Sequence, residues 1–292
     1  MALVAAAAAE GKDVRALVVD HGLQAGSSDV AARAAAQAAE LGVPADIVRV
    51  SVDAAPGQSL EAAARTARYA ALADAASSDS ASAPRDIWVA HTLDDQAETL
   101  LLGALRGNPA GMAPVSAVKA GPDSPSRSPS RSLHLARPFL ALRRADTVGA
   151  CDELGLDPWL DPMNDDRAYR RVGVRKDIIP ALSGLIGGDA APALARAAER
   201  IAADQELLAS LVDCGPTADC GVLAADPAPV RQRRILAWLR EEGQRVVGEP
   251  LVVSGAQLAD IERLCTHWHG QGPVAISGGR GIARVGGHLT LT

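Results

Sequence analysis

AHTLDDQAETLLLGALRG, residues 90–107, overlaps the short apolar run Ile87-Trp88-Val89-Ala90 and reads as a strand end, a polar turn and an amphipathic helix. Leu101, Leu102 and Leu105 recur at helical spacing and supply the core stripe. Asp94, Asp95 and Glu98 fall in the turn and the first helical turn. Asp95 and Glu98 stand at i and i+3, so both carboxylates project from one face. Two carboxylates at that spacing suit a substrate ammonium, held by charge-assisted hydrogen bonds. Acids in a first helical turn also suit the helix macrodipole with no ligand at all, and alone they are better read that way. The company favours a site: His91 directly follows the strand, and Arg106-Gly107 closes the helix.

The 292 residues leave room for two domains or one large one. At 48% hydrophobic and 22% charged the chain is ordinary globular sequence, not a disordered one. Aromatic residues make up only 2%, with a single Phe139, so the core is built from Ala, Val, Leu and Ile. No apolar stretch approaches the roughly 20 residues of a membrane span. The opening MALVAAAAAEGK lacks the charged start and cleavage pattern of a signal peptide, and Gly11-Lys12 reads as a helix stop. Cys151, Cys214, Cys220 and Cys265 form no CxxC or zinc spacing and read as reduced thiols of a cytoplasmic protein. A net charge of −6, from 29 basic and 35 acidic residues, argues against a general nucleic-acid binder. Local basic patches still allow RNA.

Residues 2–10 are Ala-rich and helical. Residues 14–20 (VRALVVD) form a continuous apolar run, as in a strand buried on both faces, with Asp20-His21-Gly22 at its end. A helix over about 28–41 and a strand over 45–50 follow. Ser59 N-caps a helix carrying Arg65, Arg68 and Tyr69, and the Ser-rich stretch 77–83 loops to the strand at 87–90. This alternation predicts an α/β doubly wound parallel sheet with helices on both faces. The ligand site of such a fold lies beyond the carboxyl ends of the strands, where Asp20, His21 and His91 fall.

Residues 113–134, with their Ser-Pro-Ser-Arg repeat, read as a flexible surface insertion, or else as a basic flap over RNA. A helix over 143–154 follows, then Trp159, Asp161-Pro162 and a polar run holding Arg167, Arg170, Arg171 and Arg175. Four arginines within nine residues make the best local anion site in the chain, although a solvated charged face has the same composition. From about 190 the pattern is mainly helical, over 192–213, 228–242 and 254–268. Ser254-Gly255-Ala256-Gln257 has capping-box form, and three short strand-like runs close the chain. Clustered glycines near 185–192 divide residues 1–188 from a smaller domain at 189–292. His267, His269 and His288 lack acids or cysteines at ligand spacing, so no metal site is expected.

Taken together, these motifs resemble the tRNA(Ile)-lysidine synthetase family of the N-type ATP pyrophosphatase (PP-loop) superfamily. The matching pieces are Val18 to Leu23, Glu61 to Arg65 with Arg68-Tyr69, and Ala90-His91 through Asp94-Asp95-Gln96-Ala97-Glu98-Thr99 to Arg106-Gly107. Arg137-Pro138, Trp159 with Asp161-Pro162 and Asn164, Tyr169 through Arg175 to Pro180, and His269 to Pro273 follow in the same order. The resemblance implies an adenine nucleotide alpha-hydrolase-like sheet domain and a smaller, mainly helical tRNA-binding domain. The implied activity is a ligase of tRNA processing that adenylates an anticodon cytidine of tRNA(Ile) with ATP and magnesium and joins lysine to give lysidine. Asp95 and Glu98 would bind lysine. Arg65, Arg106, Arg171 and Arg175 would stabilise phosphate charge. Asp20 and His21 would line the nucleotide pocket, and His91 would place phosphate or base, or simply pack.

Two departures qualify the resemblance. The SGGxDS phosphate loop of the family is absent, and Met1 falls within the helix that should follow it, as expected of a chain whose start is assigned too late or else of a true truncation with impaired catalysis, the first being favoured because the downstream motifs are intact. Ser277-Gly278-Gly279 is no substitute, since Arg280-Gly281 follows it. Val172 stands where the family often has Asn. Two other functions compete: a tRNA sulfur transferase, disfavoured because residues 1–150 hold no Cys, and a non-catalytic RNA-binding remnant. The lysine reading requires Asp95 and Glu98 to open onto the nucleotide crevice without neutralising partners of their own.

Overall fold

The computed structural model describes residues 1–53, 60–77, 86–118, 133–248 and 250–292. It falls into two compact units, Met1–Leu100 with Gly111–Glu199, and Leu101–Ala110 with Arg200–Thr292.

In the first unit, helix α1 (Ala2–Ala9) leads to β1 (Ala16–Asp20), α2 (Ser27–Glu40) and β2 (Ala45–Arg49). β1 and β2 pair in parallel, Ala16 opposite Ala45 and Asp20 opposite Arg49, with α2 as the crossover. Helix α3 (Leu60–Ser77) precedes β3 (Ile87–Trp88), which pairs in parallel with β5 (Leu133–Ala136). Between them lie α4 (Leu93–Ala104) and β4 (Val115–Val118). The parallel ladders and flanking helices match the expected α/β arrangement, but the strands form two sheets, β1-β2 and β3-β5-β4. Among the described residues nothing pairs with the second edge of β1 or β3. Leu17, Val18 and Val19 line an open cleft and are only partly buried, not sealed on both faces as the apolar run had implied.

β4 runs antiparallel to β5, with Val115 opposite Ala136 and Val118 opposite Leu133. Both ends of the stretch read as a flexible insertion are thus ordered strands, because chain returning from 118 to 133 completes an antiparallel ladder. The Ser-Pro-Ser-Arg repeat, the N-cap expected at Ser59 and most of the Ser-rich loop lie outside the described residues.

Helix α5 (Arg144–Glu153) and a 3-10 turn at Pro162–Asn164 lead to α6 (Arg170–Gly173), a π turn over Val174–Ile178, and α7 (Ile179–Ile186). The π turn has a local cause. Pro180 has no N–H to close an ordinary turn onto Lys176, and the ladder slips so that Ile179 bonds to Val174. Helix α8 (Ala191–Leu211) buries Ala191, Ala195 and Ala198. Gly111 packs so closely on it that a Cβ would stand 2.0 Å from the Ala198 carbonyl oxygen.

The second unit holds α9 (Cys220–Ala225), α10 (Ala228–Val247) and α11 (Gly255–Thr266). The antiparallel meander β6 (Val274–Ile276), β7 (Arg280–Val285) and β8 (His288–Leu291) packs with them. Leu223, Ile235, Leu239, Ile261, Leu264 and Ile282 are fully buried at its centre. Ser254 and Gln257 form the expected capping box. Ser277–Gly279 is a 3-10 turn between β6 and β7, opens no helix, and so cannot cradle phosphate.

Candidate active site

A cleft of about 1560 Å³ in the first unit runs along the whole of β1 and β3 and is also lined by α1, α2 and α3, by Asp95 of α4 and by residues 159–175. Asp20, His21 and His91, at or just past the carboxyl ends of the two strands, line the part of it where the rule for such sheets places a ligand. At the end of β1, Asp20 is buried and accepts hydrogen bonds from the Gly22 N–H at 3.0 Å and Ser28 Oγ at 3.1 Å, with Arg49 Nε at 3.4 Å. A hydrogen bond from Ser27, then that from Gly22, holds its carboxyl below the usual carboxylate range. Its oxygens are occupied, so Asp20 shapes the crevice by fixing the turn into α2. His21 Nε2 faces Arg68 at 3.3 Å, while Nδ1 is buried without a partner. Burial, then the Arg68 charge, pushes the imidazole down. Arg65 lines the cleft with its guanidinium 4.8 Å from the centroid of the Tyr69 ring.

His91 also lines the cleft, and its buried Nδ1 has no hydrogen-bond partner among the described residues. Burial drives its pKa down to about 4, with Arg137, Arg65 and Arg171 acting the same way and Asp95 opposing. At pH 7 the ring is neutral.

Thr92 opens α4, and Asp95 reaches back to it as in a capping box, Oδ2 accepting from the Thr92 N–H and Oγ1, both at 2.8 Å. Its second oxygen, Oδ1, accepts from Arg144 Nη2 at 3.0 Å. Burial opposes ionisation of Asp95, but the Thr92 N–H and the Arg144 charge outweigh it and keep the carboxyl low. One turn on, Glu98 is fully buried. Its Oε1 accepts from Arg175 Nε at 2.7 Å and Arg144 Nη2 at 3.1 Å. Arg171 Nε lies 3.1 Å from Oε2, an ion pair without hydrogen-bond alignment, and Arg171 Nη2 donates to Thr99 Oγ1 at 3.0 Å.

The two carboxylates do share a face, but the open acidic pair is corrected. Asp95 lines the cleft but is itself paired with Arg144, and Glu98 is closed off by Arg144, Arg171 and Arg175, so neither carboxylate is free of neutralising partners as the sequence reading required. A carboxylate at that depth is tolerable only when paired, and arginines distant in sequence supply the pairing. The grouping of four phosphate-binding arginines is corrected as well. Arg65, Arg171 and Arg175 line the cleft, whereas Arg106 belongs to the second unit, where its side chain is exposed and its carbonyl accepts the Gly255 N–H at 2.8 Å. The polar run divides likewise: Arg167 pairs with Asp177 at 3.1 Å and Arg170 is exposed. Val172 is buried.

Arg143 and Arg144, at the start of α5, went unrecognised as site residues in the sequence. Arg143 Nη2 donates to Asp94 Oδ1 at 2.9 Å, and Arg143 also pairs with Asp189. One signal was available: two cations at a helix N-terminus oppose the macrodipole and so imply carboxylate partners elsewhere. Gln96, fully buried, was missed too; it exchanges two hydrogen bonds with the Met112 backbone, at 2.7 and 2.8 Å.

Among the described residues no group of three or more His, Cys, Asp or Glu is arranged to hold a metal. No single helix there is long and apolar enough to cross a membrane.

Residues 1–182 match the PP-loop domain family. The chain is 44% identical over 304 residues to the tRNA(Ile)-lysidine synthase of Corynebacterium glutamicum, covering 100% of this chain and 86% of that one. It is 45% identical over 300 residues to the tRNA(Ile)-lysidine synthase of Corynebacterium efficiens, with the same coverage. The synthase of Leifsonia xyli subsp. xyli is 43% identical over 309 residues, again covering 100% and 86%. Among solved structures, the U34-tRNA thiolase NcsA from Methanococcus maripaludis with its [4Fe-4S] cluster shares 16% identity at a TM-score of 0.48, over 75% of this chain and 70% of that one.

Proposed function

Because the chain belongs to the PP-loop family, and within it to the tRNA(Ile)-lysidine synthases, we propose that it adenylates an anticodon cytidine of tRNA(Ile) with ATP and joins lysine to give lysidine. In the first step an oxygen on carbon 2 of the cytosine bonds to the α-phosphorus of ATP and pyrophosphate leaves. In the second, the side-chain amine of lysine bonds to carbon 2, AMP leaves, and the amine gives up a proton.

What supports this reading is the Asp95 carboxylate, ionised and on the cleft wall, with Arg144 on its Oδ1 and with Arg171 and Arg175 one helical turn away on Glu98. A carboxylate selects an ammonium, and guanidiniums held in place stabilise developing phosphate charge without reorganising. Arg65, Arg171 and Arg175 take the phosphate role. Asp20 and His21 bound the nucleotide pocket, and His91, neutral with an unsatisfied Nδ1, positions phosphate or base. Magnesium accompanies ATP through its phosphate oxygens. The described residues do not fit a protein-built cage for it: Asp20, the buried acid at the nucleotide end, already has Gly22, Ser28 and Arg49 on its oxygens. No step is assigned to the metal.

Residues 1–188 carry this chemistry and residues 189–292 bind tRNA, in a cytoplasmic location where ATP and tRNA meet. For RNA, the second unit offers Trp268, 42% exposed, with the Arg284 guanidinium 5.5 Å from the ring centroid, a surface on which an unpaired base stacks. The closure of Glu98 favours a second reading, a non-catalytic RNA-binding protein. A sulfur transferase has less support, since no cysteine precedes the buried Cys151. Radiolabelled lysine offered with ATP and tRNA(Ile) separates them. ATP-dependent label in tRNA, with pyrophosphate release, is the expected result; tRNA binding without incorporation establishes the second reading and overturns the first.

A further inference from the structure

We propose that Arg144 is the resident counter-cation of the ammonium site, and that the substrate ammonium enters by exchanging with its guanidinium; this rests on the lysine-binding role proposed for Asp95. A single nitrogen, Arg144 Nη2, donates to Asp95 Oδ1 at 3.0 Å and to Glu98 Oε1 at 3.1 Å. One cationic N–H group between two carboxylates at i and i+3 is the position an ammonium would take. Asp95 and Glu98 are already met by three guanidiniums, those of Arg144, Arg171 and Arg175. Three guanidiniums already exceed the two carboxylates by one charge, and a fourth cation would enlarge that excess in a largely buried site unless one of the three leaves.

Arg144 is the one free to do so. Arg175 grips Glu98 through both Nε, at 2.7 Å, and Nη2, at 3.3 Å. Arg171 is tied to Thr99 as well as to Glu98. Both ion pairs of the Arg144 side chain run through Nη2 alone, and that side chain is 31% exposed. It also occupies a helix N-terminus, where the macrodipole disfavours a cation. Its backbone stays anchored meanwhile, the N–H donating to Asp94 Oδ2 at 2.6 Å, so the side chain swings without unwinding α5. Thr92 holds the other Asp95 oxygen, leaving Oδ1 aimed at the vacated point.

The test is steady-state lysidine formation by the full chain carrying Arg144→Gln, Arg144→Met or Arg144→Lys. It is read as KM for lysine, KM for ATP, and pyrophosphate release on tRNA(Ile) without lysine. If the open form is populated about one-tenth of the time, removing the competing cation lowers the KM for lysine about tenfold. Arg144→Gln and Arg144→Met are expected to show that drop, and Arg144→Lys to restore the wild-type KM. An unchanged or raised KM for lysine in the uncharged variants overturns the exchange, as does a parallel loss of adenylation. Failure of both uncharged variants to fold overturns it too, since Arg144 would then be a fixed pillar. Wild-type protein that forms no lysidine at all refutes the ligase reading instead.

Discussion

The largest fully buried side chains of the second unit are Leu223, Ile235, Leu239, Ile261, Leu264 and Ile282, whereas those of the first unit are Gln96 and Glu98. An aliphatic core is held by non-directional burial, at roughly 25 cal/mol per Å² of apolar surface, and tolerates any packing that fills the volume. A polar core is stable only in the one arrangement that satisfies every donor and acceptor. Gln96 meets both its partners on Met112, and Glu98 meets three arginines. What the first unit gives up in tolerance it gains in charges held at fixed positions beside a cleft, which a reaction developing phosphate charge requires.

The contrast is broken most directly at Glu98. Glu98→Ala leaves Arg171 and Arg175 without their carboxylate and Arg144 with Asp95 alone, and is expected to cost about 3–5 kcal/mol by urea denaturation while abolishing lysidine formation. A loss below about 1 kcal/mol would mean that the arginines find water instead and that the polar core is not a core. Leu239→Ala in the second unit is expected to cost about 2–5 kcal/mol by the same measurement. Its effect on activity should come through the folded fraction alone, so that KM for lysine and for ATP in the remaining protein match the wild type.

The smallest effect is a pH dependence. The folded value of His91, about 4, lies below its ordinary 6.5, so between those values the unfolded chain binds a proton that the folded one refuses. Stability contributed by neutral His91 is complete above pH 6.5 and declines as pH falls toward 4. His91→Gln is expected to flatten the thermal midpoint against pH across that window and to leave it unchanged above. An unaltered slope would show that other groups carry the acid sensitivity.

Much of this was legible locally. The capping box at Ser254 and Gln257 spans three residues, and β1, α2 and β2 follow from short periodic runs. Asp95 and Glu98 were identifiable because a helix fixes the relation of i to i+3. Arg144 was not, since it meets Asp95 across 49 positions and Glu98 across 46. The antiparallel course of β4 was equally hidden, because strand direction depends on where the chain returns. The close approach of Gly255 to Gly107, where a Cβ would stand 2.7 Å from the Gly107 carbonyl oxygen, also leaves no mark on either local sequence.

The chain's own letters determined the long helices and the strands β1, β2 and β3, that residues 90–107 join a strand end to an acid-bearing helix, and which family the motifs resemble. Those properties depend on neighbours a few residues apart, where backbone geometry is set by local sterics and capping. Only the tertiary structure decided which charges meet. A buried carboxylate must be neutralised by whatever the fold brings within about 3 Å, and for Glu98 that proved to be three arginines from two distant helical segments.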